Sequence, residues 1–140
     1  KKPIKQIPLK VIGIGIIFND LGQVLIDQRL EDSLLGGLWE FPGGKQEPDE
    51  SIEETILREI KEELLIDIQV KESLISFIHS YSHFQVYLNV YICKWLSGEA
   101  KPLASQKVLW VYPEDLHKYP FPAANTKIIQ TLLEHLNRDN

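Results

Sequence analysis

The chain has no methionine, a single cysteine and fewer positive than negative charges, and each shortage narrows what it can be. With 15 Lys and Arg against 20 Asp and Glu the formal net charge is -5, so the general basic footprint of a duplex-binding protein is missing, although a local positive pocket remains open. Cys93 has no partner for an internal disulfide, which fits a reducing compartment, and its apolar neighbours suit a small buried hydrophobe. No apolar run approaches the ~20 residues that cross a bilayer, and the Lys-rich start lacks the hydrophobic block of a secretory signal. The expectation is a cytoplasmic chain with no membrane contact. The absence of methionine, an initiator included, fits either a trimmed chain or a segment of a longer polypeptide.

What is present predicts one domain over 1–140, because 140 residues of which 44% are hydrophobic can bury a sizeable core. Residues 1 to 9, with Pro3 and Pro8, read as a lead-in. Val11 to Phe18 is a β-branched apolar run broken by Gly13 and Gly15, the pattern of a central strand with close backbone approaches. Asn19-Asp20-Leu21-Gly22 is turn chemistry, and Val24 to Asp27 returns as the second strand of a hairpin. Leu30 to Leu38, with Gly36-Gly37, reads as a loop that delivers Trp39-Glu40-Phe41-Pro42. Farther on, Asp67 to Ile78 predicts one or two strands. Phe84 to Trp95 alternates, with Phe84, Val86, Leu88, Val90 and Ile92 on one side. Val108 to Val111 is a short strand, Pro113 to Leu116 opens a helical turn, and Asn125 to Leu136 is an amphipathic helix. The order βββ-α-βββ-α predicts the α/β (α+β) class, a mixed sheet flanked by helices as an α/β/α sandwich.

The most informative stretch runs from Gly43 to Ile66. Ser51 with Glu54 three residues later has the form of a capping box, and Ile52, Ile56, Leu57, Ile60 and Leu64 recur as one apolar helix face. Glu59, Glu62 and Glu63 border that face within an arc of about 100°. Two helix preferences are broken there. Glu59 and Glu63 are like charges at i,i+4, and Glu62 and Glu63 occupy the last turn, where the helix dipole disfavours anions. A solvated acidic face, with Arg58 and Lys61 as partial partners, is the plain alternative. Rule-breaking inside a well-capped helix more often marks a site, and clustered hard oxygen donors suit Mg²⁺ or Mn²⁺, whose charge turns the repulsion into attraction.

This stretch resembles the signature of the Nudix family through Gly44, Glu50, Arg58, Glu59, Ile60, Glu62 and Glu63, followed by Ile66. Leu65 departs from it, standing where the family usually has the glycine that ends the helix. Arg29, Trp39-Glu40-Phe41-Pro42-Gly43-Gly44, Trp110 and Phe121-Pro122-Ala123-Ala124-Asn125 look like the MutT group, which hydrolyses 8-oxo-dGTP and other nucleoside triphosphates to monophosphate and pyrophosphate. The resemblance implies the Nudix fold and a Mg²⁺-dependent pyrophosphohydrolase, with Mn²⁺ as a substitute, that sanitises the nucleotide pool. It further implies that Glu59, Glu62 and Glu63 bind the metal with the Gly43 carbonyl, that Glu50 supports the site, and that Arg58 holds the glutamates by ion pairing. Asn125 would read the oxidised purine and Arg29 would line the nucleotide pocket. Each has a plainer alternative: Asn125 as a helix N-cap, Arg29 as a surface ion-pair partner, Trp39 and Phe41 as core. In the loop Leu103-Ala104-Ser105-Gln106, MutT-like enzymes often carry a glutamate that helps metal or water, and here that position is Ala104. The expected partner is a nucleoside triphosphate, and monomer and homodimer both stay open.

His79-Ser80-Tyr81-Ser82-His83-Phe84 resembles a segment of the C-terminal domain of MutY-type adenine glycosylases, a Nudix-fold module that senses 8-oxoguanine in DNA. Leu34 to Pro42 is also close to that group's loop. That resemblance implies base contacts from Tyr81, Ser82 and His83. It supports a second reading, a non-catalytic 8-oxoguanine-recognition domain of an A/G-specific adenine glycosylase, and only as part of such a protein is direct DNA binding expected of so acidic a chain. The intact set Glu50, Arg58, Glu59, Glu62 and Glu63 favours the enzyme, since a recognition module has no need to keep like charges on one helix face.

Overall fold

A computed structural model describes residues 7–138. In chain order the elements are β1 (Leu9–Phe18), β2 (Val24–Gln28), β3 (Trp39–Glu40), β4 (Gly43–Lys45), α1 (Ile52–Leu64), β5 (Asp67–Ser80), β6 (Gln85–Ser97), β7 (Lys107–Val111), a 3-10 helix (Pro113–Lys118) and α2 (Asn125–Arg138). The sheet runs β3-β2-β1-β6-β5, with β4 added to β1 and β7 to β2. β1 and β6 are parallel, Leu9 facing Gln85 through Phe18 facing Lys94, and the other pairs are antiparallel. The sheet is mixed because the connection from β1 to β6 includes α1, a crossover long enough to return the chain in the same direction.

Helices cover both faces. Ile56, Ile60 and Leu64 of α1 pack on Ile17, Leu25, Ile66, Ile68 and Cys93. On the other face Ile128 and Leu132 of α2, with Leu116, pack on Ile14, Ile16, Ile26, Val86, Leu88 and Val90. Gly13 and Gly15 explain how closely α1 lies on β1: a Cβ added at Gly13 would meet Ile56 Cγ1 at 2.8 Å, and one at Gly15 would meet Ile60 Cδ1 at 2.9 Å. That close seat brings the polar edge of α1 over β4 and the end of β2.

Three details differ from expectation: the start of β1, the presence of β4 and the exposure of Leu57. The first strand begins at Leu9, inside the expected lead-in, where the Pro8 carbonyl accepts from Gln85 N–H at 2.9 Å; residues 1–6 of that lead-in lie outside the described residues. β4 was not foreseen, since Gly-Gly-Lys has little strand preference and owes its conformation to pairing with Ile12–Ile14. Of the one or two strands expected over Asp67 to Ile78 the structure has one, β5, with register shifts between Val70 and Ile75. Leu57, expected on the buried face of α1, is exposed, and Thr55 is buried in its stead. Trp39 and Phe41 are core residues, Trp39 edge-on to Tyr119 and Phe41 stacked on Phe121.

Candidate active site

The site is built on α1, and both ends of that helix are fixed locally. Ser51 Oγ accepts from Glu54 N–H at 3.1 Å while Glu54 Oε1 accepts from Ser51 N–H at 2.8 Å, so the capping box is complete. At the other end Leu65 adopts the left-handed conformation, φ 58°, and its N–H reaches the Lys61 carbonyl. Lys101 N–H and Leu103 N–H then satisfy the carbonyls of Leu64 and Glu63 at 3.0 and 3.1 Å. These bonds hold the β6–β7 connection, and with it Ala104, against the acidic end of the helix.

Arg58 organises the outer half of the acidic cluster. Its Nε and Nη2 donate to the two oxygens of Glu50 at 2.7 and 2.8 Å, a bidentate pair. Nη1 donates to Glu59 Oε1 at 2.9 Å and lies 3.4 Å from Glu62 Oε2, and Nη2 also reaches the Lys45 carbonyl at 3.0 Å. Glu50 accepts further bonds from Thr55 Oγ1 and Glu47 N–H. The Arg58 hydrogen bond, followed by the Glu47 backbone bond, holds the Glu50 carboxyl down at about 2. Glu50 therefore stays ionised and keeps Arg58 in place.

Behind Arg58 lies a cavity of about 410 Å³ lined by Gly43, Glu59 and Glu63 together with Asp27, Arg29, Glu40 and Ala104. Burial, a hydrogen bond to Glu59 and the charge of Asp27 push the Glu63 carboxyl up to about 9. Burial, then the charge of Glu40, pushes Asp27 up to about 8 against the opposing pull of Arg29. A second cavity, about 240 Å³, shares Arg29, Glu40 and Gly43 as its wall and continues to Phe41, Tyr81 and Asn125. One end of the groove is thus acidic, and the other apolar with an amide.

The groove brings together most of the residues singled out in the sequence. Gly43, Glu59 and Glu63 meet in the acidic part, Tyr81 and Asn125 in the other, and Arg29 lines both. Arg29 is also an ion-pair partner, donating to Glu40 Oε1 and to the Leu34 carbonyl, both at 2.7 Å. Asn125 is the first residue within α2, and its side-chain amide faces the Pro122 carbonyl at 3.5 Å and the cavity. Glu62 stands at the rim with its side chain 61% exposed and does not line the acidic cavity. Ser82 and His83 are exposed in the β5–β6 turn and do not line the cavity that Tyr81 reaches; Tyr81 itself stacks on Phe84, centroids 4.7 Å apart. Sequence reasoning missed Asp27 and Glu40 as site residues. Their signal was a charged residue closing the apolar run Val24–Ile26, and a second that the β2–β3 register places opposite it.

The donors suit a hard divalent cation. Asp27 is buried, yet its Oδ1 has no hydrogen-bond partner among the described residues, and a side chain at Gly44 would run into the Glu59 carboxylate, so glycine keeps that space open. Among the described residues no three acidic groups converge at ligating distance. Glu59 is turned toward Arg58 instead, accepting from its Nη1 at 2.9 Å.

Comparison with known proteins agrees with this geometry. The NUDIX domain family model matches residues 13–131. The chain is 33% identical to the CTP pyrophosphohydrolase of Escherichia coli over 127 residues, covering 89% of this chain and 93% of that protein. It is 34% identical to the 8-oxo-dGTP diphosphatase of Haemophilus influenzae over 122 residues, covering 87% and 90%. Among solved structures the MutT protein of Methanosarcina mazei superposes with a TM-score of 0.82 at 26% identity, covering 98% and 99%. Similarity that runs through the surrounding strands as well as the signature helix places this chain in the Nudix family of hydrolases.

Proposed function

We propose that this hydrolase converts nucleoside triphosphates to monophosphate and pyrophosphate, with 8-oxo-dGTP as the preferred substrate, and so sanitises the nucleotide pool. One observation carries the reading: the acidic cavity under Glu59 and Glu63 shares its Arg29, Glu40 and Gly43 wall with the cavity that holds Asn125 and Tyr81. A nucleotide needs this division, with hard donors for the diphosphate at one end and an amide able both to donate and to accept at the base. The names of the two similar proteins above point the same way for the reaction and differ on the base.

Nudix hydrolases generally use a divalent metal. In this chain Glu59, Glu63 and the Gly43 carbonyl would hold Mg²⁺ or Mn²⁺, with Glu62 approaching from the rim. The ion would neutralise phosphate charge and lower the pKa of a bound water. The chain's own residues do the rest. Arg58, fixed by Glu50, limits how far Glu59 can swing. Arg29, held by Glu40, offers a cation at the join between the two cavities, where the nucleotide passes from phosphate to base. Asn125 and Tyr81 border the base.

The test is kcat/KM on 8-oxo-dGTP, dGTP, CTP and dCTP with the products identified. The expected result is monophosphate plus pyrophosphate, with 8-oxo-dGTP favoured over dGTP by at least about tenfold, the scale of one well-placed polar contact. A preference for CTP would move the reading to cytidine nucleotides. No turnover of any of the four would leave the recognition module as the better account.

A further inference from the structure

We infer that Asp27 is a ligand of the divalent cation, supplied from β2 to the same site that Glu59 and Glu63 border from α1. The inference rests on the metal-dependent reading above and extends it to a residue outside the signature. Asp27 is fixed by the sheet, since its backbone stands opposite Glu40 of β3 on one side and Val108 of β7 on the other. It is only 4% exposed, and its Oδ1 is buried without a hydrogen-bond partner among the described residues. A buried carboxyl with an orphan oxygen is unfavourable unless something completes its coordination.

Among the described residues none supplies that partner. Arg29 is the cation lining this cavity, and its Nη1 and Nε are committed to Glu40 and to the Leu34 carbonyl. Of the other polar side chains lining this cavity, Ser33 Oγ donates to the Leu30 carbonyl at 2.6 Å, and Glu40, Glu59 and Glu63 are themselves acidic. The β6–β7 connection contributes Ala104 to this wall, whose side chain offers no donor or ligand. A divalent cation entering from solvent would give the Asp27 oxygen the partner it lacks once Glu59 and Glu63 turn toward it, and the all-oxygen donor set favours Mg²⁺ or Mn²⁺ over softer metals. A carboxylate from the β2 strand would then complete a side of the site that the loop leaves bare.

Mn²⁺ binding to the full chain at pH 8 without nucleotide, read by electron paramagnetic resonance of the free ion, tests this without turnover. Asp27→Asn should weaken binding by at least about tenfold while the circular dichroism spectrum stays that of the unaltered protein, and Glu63→Gln should weaken it as well. If Glu63→Gln weakens binding and Asp27→Asn does not, the ligand role of Asp27 is overturned while the metal reading stands. If neither variant changes binding, both are overturned. Should Asp27→Asn fail to fold, the unaltered protein still decides. Asp27 is the aspartate lining this cavity, so direct ligation predicts a ¹³C hyperfine coupling between bound Mn²⁺ and the carboxyl carbon of ¹³Cγ-labelled aspartate, and absence of that coupling overturns the inference.

Discussion

Asn125 and Asp27 show how unevenly a site is written into its residues. Asn125 follows Phe121-Pro122-Ala123-Ala124, a segment distinctive enough to be recognised, and it does face the cavity that Arg29 and Tyr81 also line. Replacing it with alanine should lower the ratio of kcat/KM for 8-oxo-dGTP over dGTP by about tenfold, the effect of leaving a base edge without its partner. An unchanged ratio would remove Asn125 from base reading. Asp27 was not legible in the same way. A strand that ends Val-Leu-Ile-Asp looks like any strand whose last residue meets solvent. It is the addition of β3 and β7 on either side, and of α1 above, that buries this one. Those contacts are long-range, and no local pattern announces them.

At the scale of elements, α1 was the most legible part of the chain because cap, apolar period and charge pattern all agree within it. Only the exposure of Leu57 departed from the reading, and its end at Leu65 is instructive. Leu65 takes the left-handed conformation the family gives to glycine, and it is 45% exposed, so little packing holds it there. A branched side chain at positive φ costs about 1–2 kcal/mol, partly offset by the greater freedom glycine regains on unfolding. Leu65→Gly should therefore stabilise the protein by about 1 kcal/mol and raise the melting temperature by about 2–4 °C; a lower melting temperature would show that the Leu65 side chain contributes more than its exposure suggests. β4 was illegible for the converse reason. Gly43–Lys45 is a strand only because β1 offers it an edge, and the Cβ that either glycine lacks would collide with the Gly13 carbonyl or the Glu59 carboxylate.

For the whole molecule, the α/β/α layering followed from the order of apolar patterns, while the convergence of β2, β4, α1 and the β6–β7 connection on one cavity did not. That convergence sets a pH dependence. Below about pH 4 both Glu63 and Asp27 are protonated whether the chain is folded or unfolded. Between there and the folded values of about 9 and 8, the unfolded chain has released protons that the folded chain retains, so stability falls as pH rises through this window. In EDTA the melting temperature should drop by at least about 5 °C from pH 5 to pH 9. Mg²⁺ should restore more of it at the upper end than at the lower, because the ion binds the deprotonated carboxylates; a flat profile in EDTA would contradict the crowding of carboxyls in this cavity. The acidic cavity as the site of metal-assisted diphosphate hydrolysis is most directly tested by pyrophosphate release from 8-oxo-dGTP in Mg²⁺, in EDTA, and by Glu63→Gln in Mg²⁺. The predicted result is turnover with Mg²⁺, none in EDTA, and a loss of at least about a hundredfold in Glu63→Gln. Turnover that persists in EDTA, or that Glu63→Gln leaves undiminished, would contradict it.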